Sequence, residues 1–223
     1  MSSMKDKVET FFADLPIKDE RLIRRHSNID RLTHWAIAIF YIVLWVSGLA
    51  LFHPYFYWLS AFFGGGPFMR IIHPFVGVLM TGLFFWYAAK VREENKITED
   101  DKIWLKNSLA YMNKDFSHSH DTGKYNGGQK MMFWSVVVCL GILFVTGIFI
   151  WQPYFAPYIP AVIRRIAVIL HALSGFIMFI GIGVHIYASI WTKGSLTAMT
   201  RGTVSKKWAK THHPAWFRKI TGK

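Results

Sequence analysis

The chain has 223 residues, 52% of them hydrophobic and 17% aromatic, with a formal net charge of +13 and a mean hydropathy of +0.25. The apolar residues gather in runs of about 20, which excludes a soluble single-core domain and marks an integral membrane protein. The single cysteine, Cys139, excludes an intrachain disulfide and a cysteine-built metal site.

Residues 1–32 are polar and lack the apolar core and small-residue cleavage site of a signal peptide, so the first span is expected to be retained as its own insertion signal. The apolar runs cover residues 33–52, 69–89, 131–151 and 166–191. At about 1.5 Å per helical residue, each is long enough to cross a hydrocarbon layer of about 30 Å. Gly64-Gly65-Gly66-Pro67 punctuates the first outer connection, and Pro153, Pro157 and Pro160 the second.

Charge sets the topology. Lys and Arg number 7 before the first run, 8 in residues 90–130 and 8 after the fourth, which leaves only Arg70, Arg164 and Arg165 for the other side. All 13 acidic residues fall in the same basic regions. The positive-inside rule puts both termini and the middle loop in the cytoplasm, with residues 53–68 and 152–165 facing the periplasm or its equivalent. A net charge that would suggest nucleic acid in a soluble chain is thus explained by membrane topology, and no nucleic-acid partner is expected.

Short connections make sequential helices neighbours, so the expected fold is all-α: an integral membrane up-down four-helix bundle with cytoplasmic N- and C-terminal segments. It divides into a cytoplasmic segment (1–32), a four-helix transmembrane domain (33–191) and a basic cytoplasmic tail (192–223). In that tail, Trp208 and Trp216 are expected at the membrane interface or against a partner.

The apolar runs contain four histidines, His34, His73, His171 and His185. An imidazole in hydrocarbon is costly unless satisfied, which makes each a candidate functional group. His171 and His185 are fourteen residues apart on one helix, a rotation about 40° short of four turns and a rise of about 21 Å, so both leave the same face at two depths. By depth, His34 can meet only His185, and His73 only His171.

Two imidazoles at each of two levels suit bis-histidine ligation of two haems, one near each membrane face, and hence electron transfer across the membrane. Zinc, the rival ligand, usually wants three or four donors together, and a structural reading makes each histidine a hydrogen-bonded packing residue. The fourth residue after each histidine lies on the same helical face and is small: Ala38, Gly77, Gly175 and Ser189. His53 precedes Pro54 at the outer end of the first span. His26, His118 and His120 are expected to be solvated, whereas His212 and His213 are too far from any span to be axial ligands but are able to touch a partner.

Seven segments carry a resemblance over about Ile23 to Lys219: RLTHW, IIHPFVGV, DTGKYNGGQKMMFW, IWQPYFAP, LHALSG, VHIYASIWTKGS and WAKTHHPAWFR. In their order and spacing the chain resembles the cytochrome b, or gamma, subunit of respiratory formate dehydrogenases. It departs in a longer N-terminal segment and in the cytoplasmic loop.

The resemblance implies a multi-pass subunit of the bacterial inner membrane with two haem b groups, whose axial ligands fall on His34, His73, His171 and His185. It also implies an iron–sulfur (beta) partner, a molybdenum- or tungsten-containing catalytic (alpha) partner that oxidises the formate, and a possible higher oligomer of the complex. Quinone, menaquinone or similar, is then reduced near the cytoplasmic haem at Asn126, Gly128 and Gln129 with His185. The same stretch also reads as a glycine-rich turn that starts a helix. The cytochrome b subunit of a membrane-bound hydrogenase or other molybdoenzyme uses the same ligand logic and stays open as a related reading. From a different class, a haem-free anchor or transporter would use the histidines to line a proton or metal path, and the lack of intramembrane carboxylates counts against it.

Overall fold

The computed structural model describes residues 14, 17–108 and 121–222. Its first helix, α1 (Asn28–Phe52), begins at a reciprocal cap: the Ser27 hydroxyl accepts from the Asp30 amide at 3.1 Å and the Asp30 carboxylate from the Ser27 amide at 3.3 Å. It stops before His53-Pro54, where a 3-10 segment, Pro54–Phe63, takes over with the His53 Nδ1 accepting from the Tyr55 amide. That segment ends on Gly64, whose φ of 78° favours a residue without a Cβ.

Helix α2 (Gly66–Val91) contains Pro74 directly after His73. Proline has no amide to donate and so frees a carbonyl in the turn below. A short helix, α3 (Glu99–Lys106), follows. Helix α4 (Gly127–Ile150) returns, and α5 (Ala161–Trp191) runs 31 residues from behind Pro160. Among the described residues, α1, α2, α4 and α5 are the four helices long and apolar enough to cross a membrane.

Trp35–Lys90 together with Met132–His185 form one compact unit. Its core is Met80, Phe84, Ala88, Cys139, Leu140 and Met178, with Phe40, Leu44 and Phe133 packed against it, so all four spanning helices contribute. Trp45 of α1 stacks flat on Phe179 of α5 with ring centres 4.8 Å apart. The outward-facing Ile39, Ile42, Val138 and Ile180 are exposed, as the lipid-facing side of a membrane bundle must be.

Met1–His34, Val91–Met131 and Ile186–Lys223 form the second unit. After α5 the chain makes α6 (Ser195–Arg201), α7 (Lys206–His212) and α8 (Pro214–Thr221). Here the fold departs from purely helical: β1 (Leu22–Arg24) pairs antiparallel with β2 (Thr203–Ser205). Three residues per strand are too few for an alternating pattern to show in the sequence. Ala198, Val204, Ala209 and Trp216 form the core of this unit, with Ile23, Trp208 and Phe217 against it. Trp216, expected at an interface, is buried because an aromatic side chain is the largest apolar body these short helices have to bury.

Candidate functional site

α2 and α5 bring the rings of His73 and His171 to 6.3 Å between centres, inclined at 59°. Each Nδ1 is held by a hydroxyl on a different helix. Ser47 of α1 lies 2.8 Å from His73 Nδ1, and Thr146 of α4 lies 2.9 Å from His171 Nδ1.

A hydroxyl has one proton, and both of these are directed at backbone carbonyls four residues back, Val43 at 2.7 Å and Ile142 at 2.6 Å. Ser47 and Thr146 therefore accept, and each histidine donates from Nδ1. The proton is fixed on Nδ1, and Nε2 keeps its lone pair for a metal.

The residue after each hydroxyl is glycine, and both glycines face a ring. A Cβ at Gly48 would stand 3.3 Å from His73 Cε1, and one at Gly147 3.4 Å from His171 Cε1. Of the Ser/Thr–Gly pairs that the spanning helices carry, Ser47-Gly48 and Thr146-Gly147 each supply a hydrogen bond and a close approach to a histidine ring together.

The separation fits a shared iron. With a metal–imidazole bond of about 2.0 Å and about 1.1 Å from ring centre to nitrogen, two opposed imidazoles on one metal place their ring centres about 6.2 Å apart. Among the described residues no group of three or more His, Cys, Asp or Glu is placed to hold a metal ion. A Cβ at Gly175 would meet nothing within 4 Å, whereas one at Gly77 would rest 3.8 Å from Leu44.

His185 follows His171 on the unbroken α5 and closes that part of the bundle unit, while His34 falls in the other compact unit. The structure therefore brings together His73 and His171 of the four spanning histidines. His53 caps the 3-10 segment.

Asn126, Gly128 and Gln129 form the start of α4. The Gln129 Oε1 accepts from the Asn126 amide at 3.0 Å, and the Asn126 Oδ1 accepts from the Gln129 amide at 2.9 Å, a reciprocal cap that fixes which side-chain atom is oxygen. Both side-chain N–H2 groups lie outside these two bonds. Beneath the turn runs α3: a Cβ on Gly128 would come within 3.0 Å of Trp104, and one on Gly127 within 2.7 Å of the Asp101 carbonyl. The next residue, Lys130, is buried in an ion pair with Asp101 at 2.7 Å.

His26, expected in water, is buried, and so is His213. His26 is 5% exposed and His213 2%, because strands β1 and β2 and the junction of α7 and α8 fold them inward. His213 donates Nδ1–H to the Gly123 carbonyl at 2.7 Å, and its Nε2 accepts from Arg25 Nη2 at 3.1 Å. Burial and then the Arg25 charge hold it well below the usual imidazole range. His26 is lowered to about 3, chiefly by burial and next by Arg25. His212 rests on Trp208 with ring centres 4.9 Å apart. His118 and His120 lie outside the described residues.

Four apolar spans with two imidazoles 6.3 Å apart among them suit a membrane cytochrome of the b type. The family model of prokaryotic cytochrome b561 matches residues 25–202. The chain is 40% identical over 201 residues to the nitrate-inducible formate dehydrogenase cytochrome b556(Fdn) subunit of Escherichia coli (strain K12), covering 90% of this chain and 92% of that one. It is 40% identical over 205 residues to the formate dehydrogenase cytochrome b556(fdo) subunit of the same organism, covering 92% and 96%. To the formate dehydrogenase cytochrome b556 subunit of Haemophilus influenzae it is 38% identical over 204 residues, covering 92% and 86%. The chain belongs to the family of formate dehydrogenase cytochrome b556 subunits, within the prokaryotic cytochrome b561 family.

Proposed function

We propose that this chain is the di-haem membrane anchor of a formate dehydrogenase complex of the bacterial inner membrane. It carries electrons from an iron–sulfur partner on the periplasmic side to a quinone near the cytoplasmic face. The observation that carries the reading is the pair His73 and His171, with ring centres 6.3 Å apart and each Nδ1 at a hydroxyl, which leaves Nε2 for iron. A molybdenum- or tungsten-containing partner oxidises the formate; this chain oxidises no substrate itself.

When bound, haem supplies a one-electron carrier between the partner and the quinone. Nε2 of His73 and of His171 would hold the outer haem. Ser47 and Thr146 keep the ring protons on Nδ1 and stop the imidazoles from turning. For the inner haem the depth matching points to His34 and His185, and the fourteen-residue spacing on α5 supports it.

At the cytoplasmic end, Asn126 and Gln129 have their oxygens occupied by the helix cap and offer amide N–H2 donors suited to a quinone carbonyl. Gly128 keeps side-chain bulk away from the turn, with Trp104 behind it. Menaquinone, protonated from the cytoplasm, is the acceptor proposed for this turn together with His185. Electrons moving inward while protons are consumed inside would charge the membrane.

The test is a set of single substitutions in the assembled complex. His73→Ala and His171→Ala are expected to remove the same one of two haems, and His34→Ala and His185→Ala the other. Loss of different haems from His73→Ala and His171→Ala would refute the pairing.

A further inference from the structure

The tail motif WAKTHHPAWFR contains none of the four spanning histidines, yet its residues converge on the five that lead into the Asn126–Gln129 turn. Residues 121–125 form neither helix nor strand, so side chains from elsewhere must fix their path. The Gly123 carbonyl accepts from His213 Nδ1–H at 2.7 Å, and the Lys124 carbonyl accepts from Arg25 Nη2 at 2.6 Å. The Thr122 carbonyl takes the Ala215 amide at 3.2 Å, and the Asp121 carboxylate pairs with Arg218.

The two central donors are themselves locked. Arg25 is 5% exposed and its guanidinium lies 5.1 Å from the ring centres of both Trp208 and Trp216. The same Nη2 donates to His213 Nε2 at 3.1 Å, which is possible only for the neutral imidazole with its proton on Nδ1, the tautomer the Gly123 carbonyl requires. One bond therefore enforces the other, and residues nearly 200 positions apart hold successive carbonyls of one strip of loop.

We infer that Arg25 and His213 are positioning residues for quinone binding: they clamp the Gly123 and Lys124 carbonyls and thereby set where the Asn126–Gln129 turn presents its amide donors. This rests on the reading of that turn as the quinone site. A turn free to shift by even an ångström would present misplaced donors, which weakens binding without touching the haem ligands.

The experiment uses the complex purified from membranes, with formate as donor and a menaquinone bearing one isoprene unit as acceptor. A dye that takes electrons from the catalytic partner serves as the control. His213→Ala and Arg25→Lys are expected to raise the quinone KM about tenfold, as loss of charge-assisted buried bonds does, with dye-linked rate and haem content unchanged. His213→Asn, whose side-chain N–H2 replaces Nδ1–H against the Gly123 carbonyl, is expected to restore most of the lost affinity, and it carries the test if His213→Ala does not assemble. Amide hydrogen exchange at residues 126–130 is expected to speed up in His213→Ala.

A quinone KM within about twofold of the parent in both His213→Ala and Arg25→Lys overturns the clamp. Asn126→Asp separates the two levels, since it keeps the cap oxygen and loses the amide donor. If Asn126→Asp raises the KM while the clamp variants leave it alone, the clamp fails and the quinone turn stands. If none of the three moves it, the quinone turn fails and the clamp with it.

Discussion

The Ser47 hydroxyl accepts a hydrogen bond from His73 Nδ1 at 2.8 Å while donating its own proton to the Val43 carbonyl. A serine that would ordinarily satisfy itself on its own helix thus sets the tautomer of an imidazole on the next one. Thr146 does the same for His171 at 2.9 Å.

Removing that acceptor tests its role. Ser47→Ala and Thr146→Val leave a buried Nδ1–H without its partner and are expected to weaken haem retention at the His73/His171 site by about 10- to 100-fold. Haem titration of the apo-complex measures it, and the second haem serves as an internal reference.

The close approach of Gly48 to His73 predicts a steric effect separable from the hydrogen bond. Gly48→Val places branched carbons where a single Cβ would already lie 3.3 Å from Cε1. The ring must turn off its bond to Ser47, and the haem-to-chain ratio is expected to fall by one haem while the circular-dichroism helix content stays constant.

The Lys130–Asp101 pair at 2.7 Å is buried on both sides. Breaking such a pair strands a charge, at a cost of about 3–5 kcal/mol. Lys130→Met alone is expected to lower the thermal midpoint in detergent sharply. The double variant Lys130→Met with Asp101→Asn, which keeps an acceptor for the Thr98 cap, is expected to recover much of the loss.

Acid should loosen the unit that contains His26. Its folded pKa is about 3, below the ordinary 6.5, and His213 is lowered as well. Below pH 6.5 the unfolded chain takes up protons that the folded one refuses, so stability is full above that value and falls as pH drops toward 3. The slope is about 1.4 kcal/mol per pH unit for each imidazole. Urea midpoints followed by tryptophan fluorescence at pH 7.5 and 5.5 give the slope, and His26→Leu is expected to reduce it.

The membrane helices were legible because hydrocarbon demands long apolar runs, and no soluble segment of this chain imitates them. The meeting of His73 with His171 was legible because depth along a helix is simple arithmetic. Ser47 and Thr146 were not: a hydroxyl inside a span ordinarily bonds its own backbone, and its facing partner comes from the next helix. The Ser47-Gly48 and Thr146-Gly147 dipeptides do not single them out, since Thr81-Gly82 and Ser174-Gly175 stand on the other two spans. His26 looked solvated, and the burial of His213 did not show, because the core that buries them is built from residues nearly 200 positions apart, with no local periodicity to reveal it. Asn126 and Gln129 were legible as a turn that starts a helix, and the reciprocal cap shows what starts it.

The most direct measurement is the haem content and spectrum of the purified complex. Two low-spin haem b groups per copy of this chain in the reduced-minus-oxidised spectrum, falling to one in His171→Ala, are the expected result. Protein made with ample haem that contains none, or a His171→Ala variant that keeps both, would contradict paired imidazole ligation.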